Sequence, residues 1–185
     1  MHLGVILSRQ SCNRAHTFAL LKPDITSNPI ILKKVIERIG DEGLLIVGVK
    51  RLTMTKKMAG ELYKEHKDKF FFKRLITHVS SGPVIALKLT TTNDEEDPVK
   101  LWRNLLGPSK LFKNLESNSE SLRSCYSLSD TRNVGHGSDS SASTERELKL
   151  FEPFDLVDNY DEKERFLNRL IPDLEEMESN VKMYD

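Results

Sequence analysis

The chain has 185 residues, of which 38% are hydrophobic and 30% charged, enough for one domain with a good core. No run approaches the roughly 20 consecutive apolar residues of a membrane span, and two cysteines, Cys12 and Cys125, make neither a disulfide framework nor a CxxC metal site, which suits a reducing compartment. The net charge of zero conceals a division at Phe151: residues 152–185 carry 11 acids against 4 bases, so residues 1–151 carry 17 against 24, and a basic body suits an anionic ligand.

In chain order, the first 23 residues contain no Asp or Glu, and the opening segment mixes the apolar run Leu3 to Leu7 with Arg9 and Arg14. This composition predicts an N-terminal arm over residues 1–16 that serves as a mitochondrial targeting segment, the alternative being a plain solvated arm on a cytoplasmic protein. Thr17 to Leu21 is a short apolar run of the kind found in central strands. Asn28 and Pro29 open a helix carrying Ile31, Val35 and Ile39, which Gly40 and Gly43 close. Leu44 to Met54 reads as a second strand, and Thr55 to Lys64 and Phe71 to Val79 read as two short helices.

Ser80-Ser81-Gly82-Pro83 breaks the helical pattern, and Val84 to Leu89 alternates as a strand. Asp97 and Pro98 cap a helix with Leu101, Trp102 and Leu105, ended by Gly107-Pro108-Ser109. Residues 110–121 read as a polar loop, Leu122 to Leu128 as a last strand, and Ser143 to Phe151 as a closing helix with Thr144 and Glu147 at capping-box spacing. Residues 152–185 form an acidic extension in which Phe166, Leu170 and Leu174 mark one more helix. The order is that of an α+β fold with a ferredoxin-like split βαβ sheet.

The densest chemistry lies in Arg132-Asn133-Val134-Gly135-His136-Gly137-Ser138-Asp139-Ser140. Two glycines let the backbone beside His136 turn tightly and be approached closely. Imidazole, with a reference pKa of ~6.5, is a competent nucleophile near neutral pH. No G-x-S-x-G elbow, HExxH, Walker A loop or G-x-G-x-x-G accompanies it.

Lys22-Pro23-Asp24 after the first strand, Ser81-Gly82-Pro83-Val84 before a later one, and Asn133-x-x-His136-Gly137-Ser138-Asp139-Ser140 near the end, in this order, resemble the nucleoside diphosphate kinases over about residues 17–151. Leu101-Trp102-Arg103, Gly107-Pro108-Ser109 and Ser129-Asp130-Thr131-Arg132-Asn133 are similar to a divergent branch of that family. The resemblance implies a four-stranded antiparallel ferredoxin-like sheet covered by helices. It also implies ping-pong transfer of a γ-phosphate from ATP to nucleoside diphosphates through a phosphohistidine.

On this resemblance His136 matches the nucleophile, and Glu147 with Ser138 the groups that orient its ring. Lys22, Tyr63, Arg103, Ser109, Arg123 and Asn133 match the residues that hold phosphate and sugar, with Lys22 and Asn133 on the ribose hydroxyls. Phe71 and Leu75 match a clamp on the base, and a clamp that touches faces implies broad base specificity. The two arginines are the donors that phosphoryl transfer needs. Mg²⁺ is implied as a cofactor carried by the nucleotide phosphates, with no all-protein metal site. The chain departs from compact members in a loop before Arg123 that is longer by about three residues, in Ser109 for Thr, in Ser124 for Gly and in Tyr126 for Phe. These departures, with the acidic extension, leave oligomeric state open and motivate the alternative of a nucleotide-binding or protein-interaction module that needs a protein partner. A nucleic-acid partner is disfavoured, since the phosphate assignments use the basic residues and the tail cancels their charge.

Overall fold

The structure, a computed structural model, describes residues 14–110 and 120–157. Most of the N-terminal arm, residues 111–119 of the long loop and the helix expected through Leu170 lie outside the described residues. Strand β1 (Thr17–Leu21) is followed by the short α1 (Pro23–Thr26), α2 (Pro29–Asp41) and β2 (Leu44–Thr53). Then come α3 (Lys56–Leu62), one 3₁₀ turn at Lys64–His66, α4 (Phe72–Val79), β3 (Pro83–Thr91) and α5 (Pro98–Leu106). The chain ends through α6 (Leu122–Tyr126), β4 (Gly135–Gly137), α7 (Ser141–Phe151) and β5 (Asp155–Leu156).

The strands form one antiparallel sheet in the order β4-β1-β3-β2-β5. Every residue of β1 is buried, which is why it reads as an unbroken apolar run. Its side chains alternate: Ala19 and Leu21 join one core with Leu32, Val35, Ile36 and Trp102, whereas Phe18 and Leu20 join a second with Leu62, Leu75, Val79 and Phe151. The sheet is thus sandwiched, with α2 and α5 on one face and α3, α4 and α7 on the other.

Helix starts follow their caps. Asn28 accepts from the amide of Ile31, and Asp97 from those of Val99 and Lys100, each followed by Pro in the first turn. Three expectations need correction. Residues 122–126 are helical, because the Ser121 side chain caps the amide of Ser124; the last strand before the closing helix is β4, an edge strand hydrogen-bonded to β1. The last helix starts at Ser141 with Ser140 as its cap, and Glu147 takes no part in a capping box because its carboxylate is engaged with His136 and Ser138. The sheet has five strands rather than four: Phe154 packs against the second core, and Asp155–Leu156 add to the outer edge of β2. Among the described residues, no helix is long and apolar enough to cross a membrane.

Candidate active site

Strand β4 places His136 opposite Leu20 of β1, while Gly135 and Gly137 lie opposite Leu21 and Ala19. Cross-strand partners share a face, so the imidazole stands on the side of α3 and α7 and the two glycines face α5. A Cβ on Gly137 would lie 2.5 Å from Trp102 Cδ1 and Nε1, and one on Gly135 2.5 Å from the carbonyl oxygen of Leu20. The glycines therefore answer to packing behind the strand, and the expected tight turn is absent: residues 135–137 are extended. Trp102, fully buried, donates its indole N–H to the backbone carbonyl of His136 at 3.2 Å.

The turn comes one residue earlier. Val134 holds a φ of 75°, a conformation rare for a β-branched residue, with a cost on the order of 1–3 kcal/mol. Its N–H donates to Asp24 Oδ2 at 2.9 Å and its carbonyl accepts from the Lys22 amide at 2.9 Å. The other carboxylate oxygen of Asp24 meets His78 Nε2 at 2.8 Å. Burial pushes the Asp24 carboxyl up, but the bonds from His78 and Val134 and the His78 and Lys22 charges outweigh it and leave it below the usual range.

His136 Nε2 lies 2.8 Å from Glu147 Oε2, which also accepts from the Ser138 hydroxyl at 2.7 Å. Arg146 donates to the other oxygen, Oε1, at 3.0 Å and to Glu65 at 3.3 Å. With three donors converging on it, the Glu147 carboxylate fixes the imidazole with its proton on Nε2. Nδ1 is then the ring nitrogen that carries the lone pair.

The cleft in front of this group has a volume of about 320 Å³ and is lined by His136, Glu147, Tyr63, Arg103, Ser109 and Arg123, among others. Six of the residues singled out from sequence thus meet at one opening. Tyr63 is 4% exposed, its ring sits 5.3 Å edge-on from that of His136, and its buried hydroxyl has no hydrogen-bond partner among the described residues. Burial pushes that hydroxyl well above the usual phenol range, so it is a neutral donor. An orphaned buried donor facing two arginines is what an anionic ligand would satisfy.

The two arginines differ. Arg123 donates to the carbonyls of Asn133 (3.1 Å), Gly107 (2.6 Å) and Gly135 (2.9 Å), and burial lowers its pKa to about 10, the nearby Tyr63 opposing this and Arg103 adding to it. It is a clasp that ties α6 to two other segments, at Gly107 and at Asn133 and Gly135. Arg103 is exposed and makes no hydrogen bond among the described residues. We therefore expect Arg103→Ala to leave the urea midpoint unmoved. Arg123→Ala should destabilise the fold by about 2–4 kcal/mol, the scale of losing hydrogen bonds to a charged group. Equal midpoints for the two variants would contradict this division.

The remaining sequence candidates lie around the cleft rather than on its surface. Lys22, 3% exposed, donates to Asn133 Oδ1 at 2.5 Å and to the Thr131 carbonyl at 3.2 Å. Asn133, 4% exposed, donates to the carbonyls of Ser109 and Asp130. Leu75 is buried in the second core, and Phe71 is half-buried with its ring 5.7 Å from that of His66. Sequence reasoning missed Arg146, Glu65 and His66, all on the cleft surface, where Asp139 of the motif around His136 also lies. Hydroxyl bonds from Ser143 and Ser140 hold Asp139 below the usual carboxylate range. Among the described residues, no three His, Cys, Asp or Glu side chains are grouped to hold a metal ion.

Burial pushes the Lys22 ammonium down to about 7, with Arg123 adding to the shift and Asp24 opposing it. Above pH 7 the folded chain releases a proton that the unfolded chain keeps until its ordinary value near 10.5, so Lys22 makes stability rise with pH across that window. The difference in urea midpoint between the protein and Lys22→Met should shift in favour of the protein as the pH is raised from about 7 to about 10. Parallel pH curves for the two would show that Lys22 stays charged in the fold.

Comparison with known proteins agrees with this geometry. The family described as nucleoside diphosphate kinase matches residues 15–155. The chain is 39% identical over 137 residues to nucleoside diphosphate kinase 6 of Homo sapiens, covering 74% of this chain and 72% of that one. It is 41% identical over 149 residues to nucleoside diphosphate kinase 6 of Xenopus tropicalis, covering 80% and 81%. The fold is similar to the crystal structure of the Aquifex aeolicus nucleoside diphosphate kinase, with a TM-score of 0.70 and 30% identity over 78% of this chain and 100% of that one.

Proposed function

Because the chain belongs to the nucleoside diphosphate kinase family, we propose that it moves a γ-phosphate from ATP to nucleoside diphosphates in two half-reactions through His136. The observation that carries this reading is the imidazole whose Nε2 is held by Glu147 at 2.8 Å, at the edge of a cleft that also presents Tyr63, Arg103 and Arg123.

In the first half-reaction the Nδ1 lone pair of His136 attacks the γ-phosphorus. A P–N bond forms, the bond from that phosphorus to the β,γ-bridging oxygen breaks, and ADP leaves with the oxygen. In the second, a terminal phosphate oxygen of the acceptor attacks the same phosphorus and the P–N bond breaks. Positive charge gathers on the ring as the P–N bond forms, and the Glu147 carboxylate stabilises it without accepting the proton. Arg103 and Arg123 offer guanidinium donors to the oxygens of the transferring group, and the Tyr63 hydroxyl supplies a neutral one. Ser109 supplies a further hydroxyl at the opening.

The Asp139 carboxylate at the opening is the group that would face a Mg²⁺ ion arriving on the nucleotide phosphates, and such an ion would supply neutralisation of phosphate charge. Lys22 and Asn133 are proposed to reach the ribose hydroxyls, which requires their mutual bond to open or be shared. Phe71 and Leu75 are proposed to contact the base on a face, so that base identity matters little. The acid-free composition of the first 23 residues supports a mitochondrial location, which comparing a tagged full chain with one starting at Arg14 would test.

Initial velocities with ATP and UDP varied together test the two-step scheme. Parallel double-reciprocal lines are expected, since no complex holds both nucleotides. Intersecting lines would mean direct transfer and would remove His136 from the covalent path.

A further inference from the structure

A second cavity, of about 380 Å³, is lined by Lys73, Arg74, Thr77, His78, Ser81 and Arg132. None of these residues lines the catalytic cleft. Four belong to the outer side of α4, whose Leu75, Ile76 and Val79 face the core; Ser81 follows the helix, and Arg132 comes from the segment that leads into β4. The lining holds three permanent cations, an imidazole and two hydroxyls, and no carboxylate.

The cavity is organised as well as charged. Arg74 is anchored through Nε, which donates to Thr131 Oγ1 at 3.1 Å, and its terminal nitrogens make no other hydrogen bond among the described residues. The side chains of Lys73 and Arg132 make no hydrogen bond or ion pair there. His78 meets Asp24, but that carboxylate is 2% exposed, takes the Val134 amide on its other oxygen, and so sits behind the imidazole rather than in the cavity. Cations on a protein surface ordinarily pair with nearby acids or spread out; three lining one hollow with no acid beside them there create a positive potential that an anion would relieve.

We propose that this cavity is a second anion site, for a ligand bearing two or more phosphate groups. Arg74 and Arg132 supply guanidinium nitrogens that can bind phosphate oxygens in pairs, Lys73 a mobile point charge, and Thr77 a neutral hydroxyl donor. The ligand is a small phosphorylated molecule, either inorganic polyphosphate or the phosphate chain of a nucleotide; the recognition chemistry is shared by both. Its place matters because the His78–Asp24–Val134 bonds connect the cavity to the strained residue two positions before His136. The assignment stands on the cavity itself and does not depend on the transfer reaction.

Equilibrium dialysis of the full chain against ³²P-labelled pyrophosphate tests the site, with Lys73→Ala/Arg132→Ala altering the cavity and Arg103→Ala altering the cleft. Two classes of sites are expected for the unaltered chain. The double variant should weaken one class at least about tenfold, given that a hydrogen bond to a charged group is worth about a factor of ten or more, and Arg103→Ala should weaken only the other. Competition by UDP and by tripolyphosphate then identifies the source: whichever displaces label from the Arg103→Ala chain at the lower concentration is the better occupant. Unchanged pyrophosphate binding in the double variant would overturn the proposal. The same double variant should still form phosphoenzyme, so failure of the cavity assignment and failure of the kinase reading give different results.

Discussion

His136→Ala is expected to abolish covalent labelling by γ-³²P-ATP and to lower nucleotide exchange by at least about four orders of magnitude, the scale of losing a covalent nucleophile, while ADP still binds. The separation follows from the site. Tyr63, Arg103, Arg123 and Ser109, the groups proposed to hold phosphate, come from α3, α5, α6 and their flanks, and none of them hydrogen-bonds the imidazole. Glu147 would keep Ser138 and Arg146 as partners after the ring is removed, so the buried carboxylate is not orphaned and the fold should survive. Acid-quenched labelling beside calorimetric titration with ADP measures both halves. Label that persists on the variant would move the nucleophile elsewhere, and loss of ADP binding together with activity would make His136 a binding residue.

Trp102→Ala should have the largest effect on stability. Its indole is fully buried and is the largest such side chain, and truncating an aromatic of this size costs about 3–5 kcal/mol. The effect on chemistry should exceed that of an ordinary core cavity, because the same ring fills the space that Gly137 leaves open and bonds the His136 carbonyl. Trp102→Phe separates the two roles. It keeps most of the packing and removes the N–H donor, so the urea midpoint should recover most of its value while turnover stays below that of the native protein. Full recovery of turnover in Trp102→Phe would show that the indole only fills space.

The elements read correctly from sequence are those whose signal is local. Asn28-Pro29 and Asp97-Pro98 cap their helices as written, and the unbroken apolar run at Thr17 to Leu21 is a buried inner strand. Residues 122–128 were misleading because their alternation suits a strand, yet Leu122, Cys125 and Tyr126 also sit at helical spacing. The decision came from the Ser121 cap and from the three carbonyls that Arg123 reaches in two other segments, at Gly107 and at Asn133 and Gly135. The fifth strand has two residues, below what any periodicity can register.

In the site, the motif around His136 and the order of Lys22, Tyr63, Arg103 and Arg123 were legible as a resemblance. The reason for its glycines was not, since only the packing of α5 behind β4 shows that Trp102 occupies the place of a side chain. Arg146 and Glu65 look like solvated charges in sequence, and the approach of α7 to the end of α3 makes them part of the cleft. The cavity of Lys73, Arg74 and Arg132 was invisible for the same reason, as it joins two segments more than fifty residues apart.

The central claim is that the phosphoryl group rests on the protein between donor and acceptor, and the direct measurement is a chase. Protein labelled with γ-³²P-ATP and Mg²⁺ is freed of nucleotide by rapid desalting and mixed with UDP alone. Transfer of the label to UTP, with a matching loss from the protein, is the predicted result. Label that remains on the protein, or leaves it only as inorganic phosphate, would contradict the account.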